Sequence, residues 1–358
     1  MLLLMMLCRH VKIASIKIIL RGRDWHPRWR TEKSAAVLNG PEKRGEEPDM
    51  MGTQARGRLR YKLRLAGRYW QLYLLILPLL VYLLIFNYMP IYGVQISFKD
   101  FRTNLGIWGS PWVGLKHFVR FLEYRGFTQL LLNTLSLSLY SILTFPCPIL
   151  FALMLNELRS DKYRKVVQMV SYAPHFISTV VICAMIKLFC ARGTGVINNL
   201  IAALGGTRTD FLSIPAMFPH IYVWSGVWQE VGWGAIIYLA ALSGVSDEII
   251  EASLIDGANR LQVIWHIKLP TILPTVVIML IMRCGSVLSV GFEKVFLLQN
   301  SLNLEASQTI STYVYEIGLQ GGQFSYSAAI GLFNNVVNIA ILLLVNKVCK
   351  SISEIGIW

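Results

Sequence analysis

The sequence has few charged residues for its length. Asp, Glu, Lys and Arg make up 15% of its 358 residues, against about 25% in soluble proteins. Hydrophobic residues make up 54% of the chain, and the mean hydropathy is +0.51. A soluble domain of this composition would leave a large apolar surface in water. The composition therefore argues against a soluble protein and favours a chain solvated by a lipid bilayer.

Motifs for catalysis or metal binding are also missing. The six cysteines show no paired or metal-ligand spacing, and four of them fall in apolar runs, where a thiol behaves as a small hydrophobe. The chain has no G-x-x-x-x-G-K-[ST] phosphate loop, no H-E-x-x-H and no G-x-S-x-G. We therefore expect no enzymatic activity, no metal site and no cofactor bound by this chain, and any energy must come from a partner.

The net charge of +14 is concentrated near the N-terminus. Residues 1–69 hold 16 basic against 6 acidic residues, whereas the remainder holds 18 against 14. Six of these basic residues directly precede the first long apolar run: Arg56, Arg58, Arg60, Lys62, Arg64 and Arg68. This placement fits the positive-inside rule and contact with anionic membrane lipid, and it argues against nucleic-acid binding.

Residues 1–60 are predicted to form a basic, disordered N-terminal extension. Residues 1–20 are apolar but interrupted by three basic residues, and they lack the features of a signal peptide. The polar stretch that follows has the composition of a disordered segment. Two interpretations stay open: a translation start assigned too far upstream, with Met50 or Met51 as internal alternatives, and an interfacial anchor helix over residues 1–20.

From Trp70 onward, apolar runs long enough to span a bilayer as helices alternate with polar loops. They cover residues 70–91, 129–156, 166–190, 216–243, 271–292 and 326–346. The expected fold is therefore all-α, a polytopic membrane protein with six transmembrane helices. The predicted segments are a first helix with an external loop (61–128), a five-helix core (129–346) and a C-terminal tail (347–358).

Six spans place both termini on one side of the membrane, which we expect to be the cytoplasm. Basic residues between spans two and three and after span six agree with that orientation. The loop 92–128 does not, because it places five basic residues outside: Lys99, Arg102, Lys116, Arg120 and Arg125. The parity of the spans decides the orientation, since long loops are translocated despite their charge.

A polar segment, EASLIDGANRLQVIWHIKLP, separates the fourth and fifth apolar runs at residues 251–270. Its first residues are small and compatible with a helix, and Gly257 permits a turn with positive φ. Pro270 suits the first turn of a new helix and is predicted to mark the start of span five. The pattern predicts a short helix, a glycine bend and a second helix, which together form a stiff lever within the loop 247–270.

The order Glu-Ala-Ser, Asp-Gly-Ala and Ile-Lys-Leu-Pro in this segment resembles the coupling-loop signature of bacterial ATP-driven importers. Further stretches resemble the carbohydrate-uptake permeases among them, which include the membrane domains of maltose-type importers: 69–101, 106–118, 170–179, 227–245, 291–300 and 311–358. The resemblance covers residues 61–358. It implies the type I (MetI-like) permease fold in the bacterial inner membrane and a role as half of the pathway for an oligosaccharide.

The resemblance also implies the partners. They are a second homologous permease, a dimer of ATPase subunits that binds the ATP, and an extracellular solute-binding protein. In the family, the lever docks on the ATPase, which assigns coupling to Glu251, Ala252, Ser253, Asp256, Gly257, Ala258, Ile267, Leu269 and Pro270. The alternative function is an ion-coupled secondary transporter, which uses broken helices and acidic groups within the membrane.

A sugar pathway needs polar and aromatic groups inside apolar helices. The candidates are Trp224, Trp228, Glu230, Arg283, Asn334 and Asn338. Tryptophans stack on sugar rings but also favour membrane interfaces, and asparagines either line a pathway or join helices. Arg283 has three open interpretations: a partner for Glu230, a contact to an acidic sugar, or individual drift. The motifs leave the identity of the sugar undetermined.

Overall fold

The structure, a computed structural model, describes residues 70–353 together with residues 356 and 357. The predictions for the N-terminal extension lie outside the described residues. The described residues are almost entirely helical, and their only β-type pairing is an isolated antiparallel bridge between Lys99 and Trp112. They belong to two compact units that meet in sequence at Val94 and Gln95.

The first unit includes helix α1, Trp70–Leu83, which continues as a π-helical turn over Leu84–Tyr88. A 3₁₀-helical segment, Met89–Phe98, follows it along the chain. Pro78 lies inside α1, as membrane helices tolerate. The helical stretch Leu74–Phe98 is apolar and long enough to cross a membrane.

The second unit contains the other helices. Before the lever they are α2 (Gly106–Gly109), α3 (Lys116–Leu122), α4 (Phe127–Leu143), α5 (Pro146–Asn156), α6 (Asp161–Tyr172), α7 (Thr179–Cys190), α8 (Val196–Ala203) and α9 (Phe218–Leu242). From the lever onward they are α10 (Asp247–Ile255), α11 (Arg260–Val263), α12 (Leu269–Cys284), α13 (Phe292–Leu298), α14 (Leu304–Ser307), α15 (Ile310–Tyr315) and α16 (Phe324–Ser353).

Four helical stretches of the described chain are long and apolar enough to cross a bilayer, and two bent pairs raise the number to six. The straight stretches are Leu74–Phe98, Phe127–Asn156, Arg260–Cys284 and Phe324–Ser353. The bent pairs are Asp161–Phe176 with Thr179–Cys190, at 99°, and Pro215–Leu242 with Asp247–Ile255, at 78°. All six predicted apolar runs are therefore largely helical, although the third is bent sharply instead of straight.

The fifth span differs from its predicted limits, because the helix runs from Arg260 to Cys284 without a break. Pro270 lies in the first turn of helix α12, as predicted, but the helical stretch that contains this span begins ten residues earlier, at Arg260. A π-helical turn, Ile264–Lys268, precedes it, and the N–H of Leu269 bonds to the carbonyl of Ile264. We attribute the continuity to this wider turn, which accommodates a residue without an N–H. The second half of the lever thus continues directly into the span.

The core between the spans is built around α5, α9 and α12. Its buried side chains are Ile149, Ala152 and Leu153 of α5, Ala235, Tyr238 and Leu242 of α9, and Ile272 and Val276 of α12. Helix α9 also approaches α6 closely at Gly232, where a Cβ atom would lie 2.3 Å from the carbonyl oxygen of Ser171. Only glycine permits that approach, which brings the polar residues of α9 against the break in span three.

Candidate functional site

The break in span three follows from its local sequence. Pro174 ends the regular helix α6, and a 3₁₀ turn, Ala173–Phe176, follows it. Ser178 then caps helix α7, with its Oγ accepting a hydrogen bond from the N–H of Val181 at 3.4 Å. The 99° bend between the two helices places the turn beside α9. The proline in this span thus contributes to a real change of direction.

His175 lies in this turn and contacts two residues of α9. Its Nδ1 lies 2.9 Å from Oε2 of Glu230, and its ring stacks on Trp233 with centroids 4.3 Å apart and an interplanar angle of 4°. Beside it, the Gln229 side-chain amide donates to the carbonyl of Ile177 at 3.4 Å. These contacts hold the break in span three against the middle of α9.

An open central cavity of about 750 Å³ adjoins this contact. Helices α4, α5, α9, α12 and α13 and the segment 285–291 contribute to its wall. Four ionisable side chains, Glu230, Arg283, Glu293 and Lys294, line it beside Tyr222, Phe292, Gln229 and Ser286. Polar and charged groups therefore face a space large enough for a small saccharide, within the pocket sizes usual for ligand sites.

The two candidates that line the cavity, Glu230 and Arg283, do not form an ion pair with each other. The carboxylate of Glu230 pairs with His175, and no salt bridge joins Glu230 to Arg283 among the described residues. Arg283 lies in the last turn of α12 and is exposed. Its guanidinium has no carboxylate within 4.0 Å in the described part of the chain. The cation is thus available to a ligand.

Lys294, which the pathway prediction did not include, is a second cation in the cavity wall. Its ammonium lies 5.3 Å from the centroid of the Tyr222 ring. Burial lowers the pKa of Lys294 to about 8. No signal in the sequence pointed to Lys294, because a lysine on a short helix after span five is not unusual.

The other predicted pathway residues lie away from the lining of the central cavity. Trp224 is half exposed, and its Nε1 donates to Oη of Tyr140 at 2.9 Å, which joins α9 to α4. Trp228 is also half exposed. Neither of them, nor Asn334 or Asn338, is part of the cavity wall. A role in transport for these four residues stays a prediction.

Asn338 joins two parts of the chain. Its side-chain Oδ1 accepts from the N–H of Leu288 at 2.9 Å, and its Nδ2 donates to Oγ of Ser289 at 2.9 Å. The buried amide therefore fixes the non-helical segment after α12 to α16, as expected for an asparagine that joins helices. Asn334, one turn earlier, has a buried Oδ1 without a hydrogen-bond partner in the described residues.

The lever has the predicted helix, bend and helix. Helix α10 contains Glu251, Ala252 and Ser253 and ends at Ile255, and Gly257 follows with φ of +85°. The N–H groups of Gly257 and Ala258 bond to the carbonyls of Leu254 and Ser253 at 3.1 and 2.9 Å. The helix therefore ends in a Schellman motif. Asp256 is the C-cap, and Gly257, the residue after it, adopts the left-handed conformation.

The second half of the lever begins with a capping box. Oδ1 of Asn259 accepts from the N–H of Gln262 at 2.9 Å, and Oε1 of Gln262 accepts from the N–H of Asn259 at 2.7 Å. Large apolar side chains on the lever are exposed: Leu254 at 51%, Ile255 at 86%, Leu261 at 66% and Trp265 at 53%. Ile267, Leu269 and Pro270 are half-buried at its end.

Lys268 joins the end of the lever to the end of span two by hydrogen bonds. This lysine is 8% exposed, and its Nζ donates to Oε1 of Glu157 and, at 2.6 Å, to Oδ1 of Asn156. The coupling residues predicted from the sequence include Ile267, Leu269 and Pro270 but not Lys268. A charged residue next to a span end gave no signal of its partner, which lies more than a hundred residues away.

Comparison with known proteins identifies the family to which this chain is similar. Residues 145–350 match the family described as binding-protein-dependent transport system inner membrane component. The chain is 44% identical over 288 residues to the polygalacturonan/rhamnogalacturonan transport system permease protein YteP of Bacillus subtilis (strain 168). The match covers 80% of this chain and 90% of that protein. It is equally similar to protein LplB of the same organism, over 80% and 91% of the two chains.

A solved structure agrees with these relatives. The chain is similar to one in the crystal structure of a bacterial alginate ABC transporter in complex with an alginate pentasaccharide-bound periplasmic protein. The TM-score is 0.75 and the identity 40%, and the match covers 82% of this chain and 99% of that chain. The six-span helical architecture is therefore the MetI-like permease fold.

Proposed function

Because the chain belongs to the family of inner membrane components of binding-protein-dependent transport systems, we propose that it forms half of the pathway of an ATP-driven oligosaccharide importer. The chain is a transporter permease and not itself an enzyme. In this proposal a second, homologous permease completes the pathway, two ATPase subunits bind and hydrolyse ATP, and an extracellular solute-binding protein delivers the sugar. Both termini lie in the cytoplasm.

One observation carries this proposal: a single helical stretch joins the lever to the central cavity. Arg260 begins the second half of the lever, and Met279, Met282 and Arg283 near the other end line the cavity. At 1.5 Å per residue, the 25 residues from Arg260 to Cys284 extend over roughly 36 Å. A displacement of the lever by the ATPase would therefore move the cavity wall directly.

The surface of the lever supports ATPase docking. Its exposed leucines, isoleucine and tryptophan are large apolar side chains, and such a set of exposed apolar residues outside the membrane favours an interface with a partner. The Schellman turn at Gly257 and the capping box at Asn259 and Gln262 fix the angle between its two helices. A lever of fixed shape can transmit a displacement that a flexible loop would absorb.

Two of the four ionisable side chains in the cavity wall are cations that suit a carboxylated sugar as the cargo. Arg283 and Lys294 are cations in its wall without a carboxylate partner within 4.0 Å in the described residues, and Tyr222 and Phe292 supply aromatic faces. Arginine recognises carboxylates through two parallel hydrogen bonds. The names of the similar proteins, which refer to polygalacturonan, rhamnogalacturonan and alginate, point to the same class. We infer that the cargo is an oligosaccharide that contains uronate residues.

The alternative of ion-coupled secondary transport is not favoured. The bent third span and the His175–Glu230 pair resemble the broken helices and acidic groups of such transporters. That mechanism, however, assigns no role to a lever with an exposed apolar surface, and the family works with binding proteins.

ATP-dependent uptake tests the proposal. The chain would be reconstituted in liposomes with its second permease and ATPase subunits, and its binding protein would be supplied outside. We expect trigalacturonate to accumulate with enclosed ATP and not with a non-hydrolysable analogue. Accumulation driven by an ion gradient without ATP would support the alternative and contradict the importer.

A further inference from the structure

The outer loop between the first two spans carries positive charge that the function so far leaves unexplained. Five basic residues lie in it: Lys99, Arg102, Lys116, Arg120 and Arg125. In the proposed orientation this loop faces outward, where lysine and arginine are usually depleted. A loop that retains five cations against this tendency needs a reason.

Two of the five have partners within the loop. The ammonium of Lys99 donates to the carbonyl of Ile107 at 2.7 Å and lies 4.9 Å from the centroid of the Trp112 ring. The guanidinium of Arg102 lies 3.6 Å from Asp100. These two cations hold the fold of the loop, so their presence is explained by structure.

The other three line one outer pocket of about 740 Å³, together with Val119, Glu123, Tyr124, Tyr313 and Tyr326. Lys116, Arg120 and Arg125 are exposed. None of them has a carboxylate oxygen within 4.0 Å in the part of the chain that the structure describes. Three cations against the single carboxylate of Glu123 give the pocket a positive field.

The aromatic wall of the outer pocket is held in place by packing. Tyr313 and Tyr326 are buried, at 6% and 2% exposure. The guanidinium of Arg120 lies 4.2 Å from the centroid of the Tyr326 ring, which orients the arginine by a cation–π contact. Tyr124 stacks on Tyr313 with centroids 4.9 Å apart and stays 37% exposed. The pocket therefore presents one ring and the Arg120 guanidinium from fixed positions, and two further exposed cations, Lys116 and Arg125, lie in its wall.

Helix α3, which carries two of the cations, is itself anchored. Phe121 is buried at 1% exposure and packs edge-on against Phe127 and Phe333, at centroid distances of 5.0 and 5.6 Å. This contact fixes α3 to the start of span two and to span six. Lys116 and Arg120 are consequently positioned at the outer mouth of the bundle.

We propose that the outer pocket is a second binding site, which captures carboxylated saccharides on the outer face before they enter the central cavity. The inference rests on the proposed function for the outward orientation and for the class of cargo. Arginines pair with the carboxylates, the exposed face of Tyr124 packs against the C–H face of a sugar ring, and the positive field attracts the anion. A neutral sugar would gain only the packing contact.

Binding of trigalacturonate to the permease–ATPase complex in nanodiscs, without binding protein, tests the outer pocket. The triple variant Lys116→Gln, Arg120→Gln, Arg125→Gln should bind it roughly tenfold more weakly, because each exposed ion pair contributes little but three are removed. Binding by the wild type should weaken with salt, and the carboxyl-reduced trisaccharide should bind much less. Equal binding by the triple variant and the wild type would overturn the proposal.

Two control variants separate the outer pocket from other effects of charge. Arg192→Gln removes an exposed cation from another outer loop and should leave binding unchanged. The double variant Arg283→Gln, Lys294→Gln removes the cations of the central cavity and should leave binding at the outer pocket unchanged. If the double variant loses all binding and the triple variant binds as the wild type does, the site lies in the central cavity and the proposal is contradicted.

The outcomes also distinguish this inference from the proposed function. If trigalacturonate is taken up with ATP but the triple variant binds it normally, the outer pocket is rejected and the importer stands. If the triple variant takes up trigalacturonate poorly yet binds it as the wild type does, the cations serve contact with the acidic surface of a binding protein, and the saccharide site is rejected. Failure of ATP-dependent uptake in the wild type would reject the importer itself.

Discussion

His175 and Glu230 form a contact of 2.9 Å between the turn that breaks span three and the middle of α9. Trp233 stacks on the face of the same imidazole. Glu230 also lines the central cavity, so this contact lies between a bend in the backbone and the space assigned to the cargo. A change in the pair would alter both the angle of the bend and the charge of the cavity.

We predict that His175 and Glu230 are energetically coupled, whereas Glu230 and Arg283 are not. Initial uptake rates would be measured for Glu230→Gln, His175→Phe and the double variant, with phenylalanine retained to stack on Trp233. The coupling should be about 0.5–3 kcal/mol, as for residues in contact. The matched cycle of Glu230→Gln with Arg283→Met should be additive within about 0.5 kcal/mol. Strong coupling in the second cycle and none in the first would contradict this assignment.

Arg283→Met has a separate expected result, because Arg283 has no carboxylate partner in the described residues. If the residue contacts an acidic sugar, uptake of trigalacturonate should fall about tenfold or more, and uptake of the carboxyl-reduced trisaccharide should not. One charge-assisted hydrogen bond contributes about 1.5–3 kcal/mol, which corresponds to roughly tenfold or more. Full activity of this variant toward both sugars would leave individual drift as the explanation of Arg283.

The contact of Lys268 with Glu157 and Asn156 leads to a prediction about stability. Lys268→Met leaves the Glu157 carboxylate, 27% exposed, without its partner. Loss of one partner from a buried pair costs about 3 kcal/mol, which should lower the Tm of the purified permease–ATPase complex by roughly 5 °C. Lys268→Met with Glu157→Met should recover most of this loss, since replacement of both partners by apolar residues is often neutral.

Lys165→Met is the matched control for this experiment, because Lys165 is an exposed lysine in helix α6. Its Tm should stay within error of the wild type. If Lys268→Met had the same Tm as Lys165→Met, the contact with Glu157 would contribute nothing to stability. The ratio of ATP hydrolysed to sugar imported, measured on the same variants, would then show whether the contact serves coupling alone.

Much of the helical fold follows from the sequence, because spanning length and hydropathy identify each membrane helix separately. The Asp-Gly-Ala of the lever predicted the bend at Gly257, since only a residue without Cβ adopts φ of +85° without strain. The end of helix α12 at Cys284 could not be predicted from the sequence. Residues 285–291 are apolar enough to continue the helix, yet Asn338 binds Leu288 and Ser289 and holds them outside it.

The site was harder to predict than the fold, because its residues meet only through tertiary contacts. Glu230 was predicted as a polar group inside an apolar helix, but its partner His175 lies 55 positions earlier. Lys294 belongs to a short helix after span five, where a lysine carries no unusual signal. Trp224 and Trp228 attracted attention through residue type alone, and their positions on α9 point them away from the cavity lining.

We predict that Gly257→Val abolishes coupling through strain at the bend of the lever. No other atom lies within 4 Å of a Cβ added there, so the effect inside this chain comes from φ of +85° alone, and contact with the ATPase adds to it. Gly257→Asn should retain partial uptake, because asparagine tolerates the left-handed conformation. Gly205, with φ of +84° and equally open surroundings, is the matched control in another loop. Wild-type coupling in Gly257→Val, or equal loss in Gly205→Val, would contradict ATPase docking by the lever.

The last prediction concerns pH. Burial lowers the pKa of Lys294 from its ordinary 10.5 to about 8, so its ammonium loses its proton as the pH rises through about 8. Uptake of trigalacturonate should therefore fall above pH 8 in the wild type, and Lys294→Arg should remove this dependence. Titration of Lys294 does not destabilise the fold over this range, because between pH 8 and 10.5 this lysine holds its proton in the unfolded chain and not in the folded one, so its contribution to stability rises with pH. Identical pH profiles of the wild type and Lys294→Arg would show that Lys294 does not contact the sugar carboxylate.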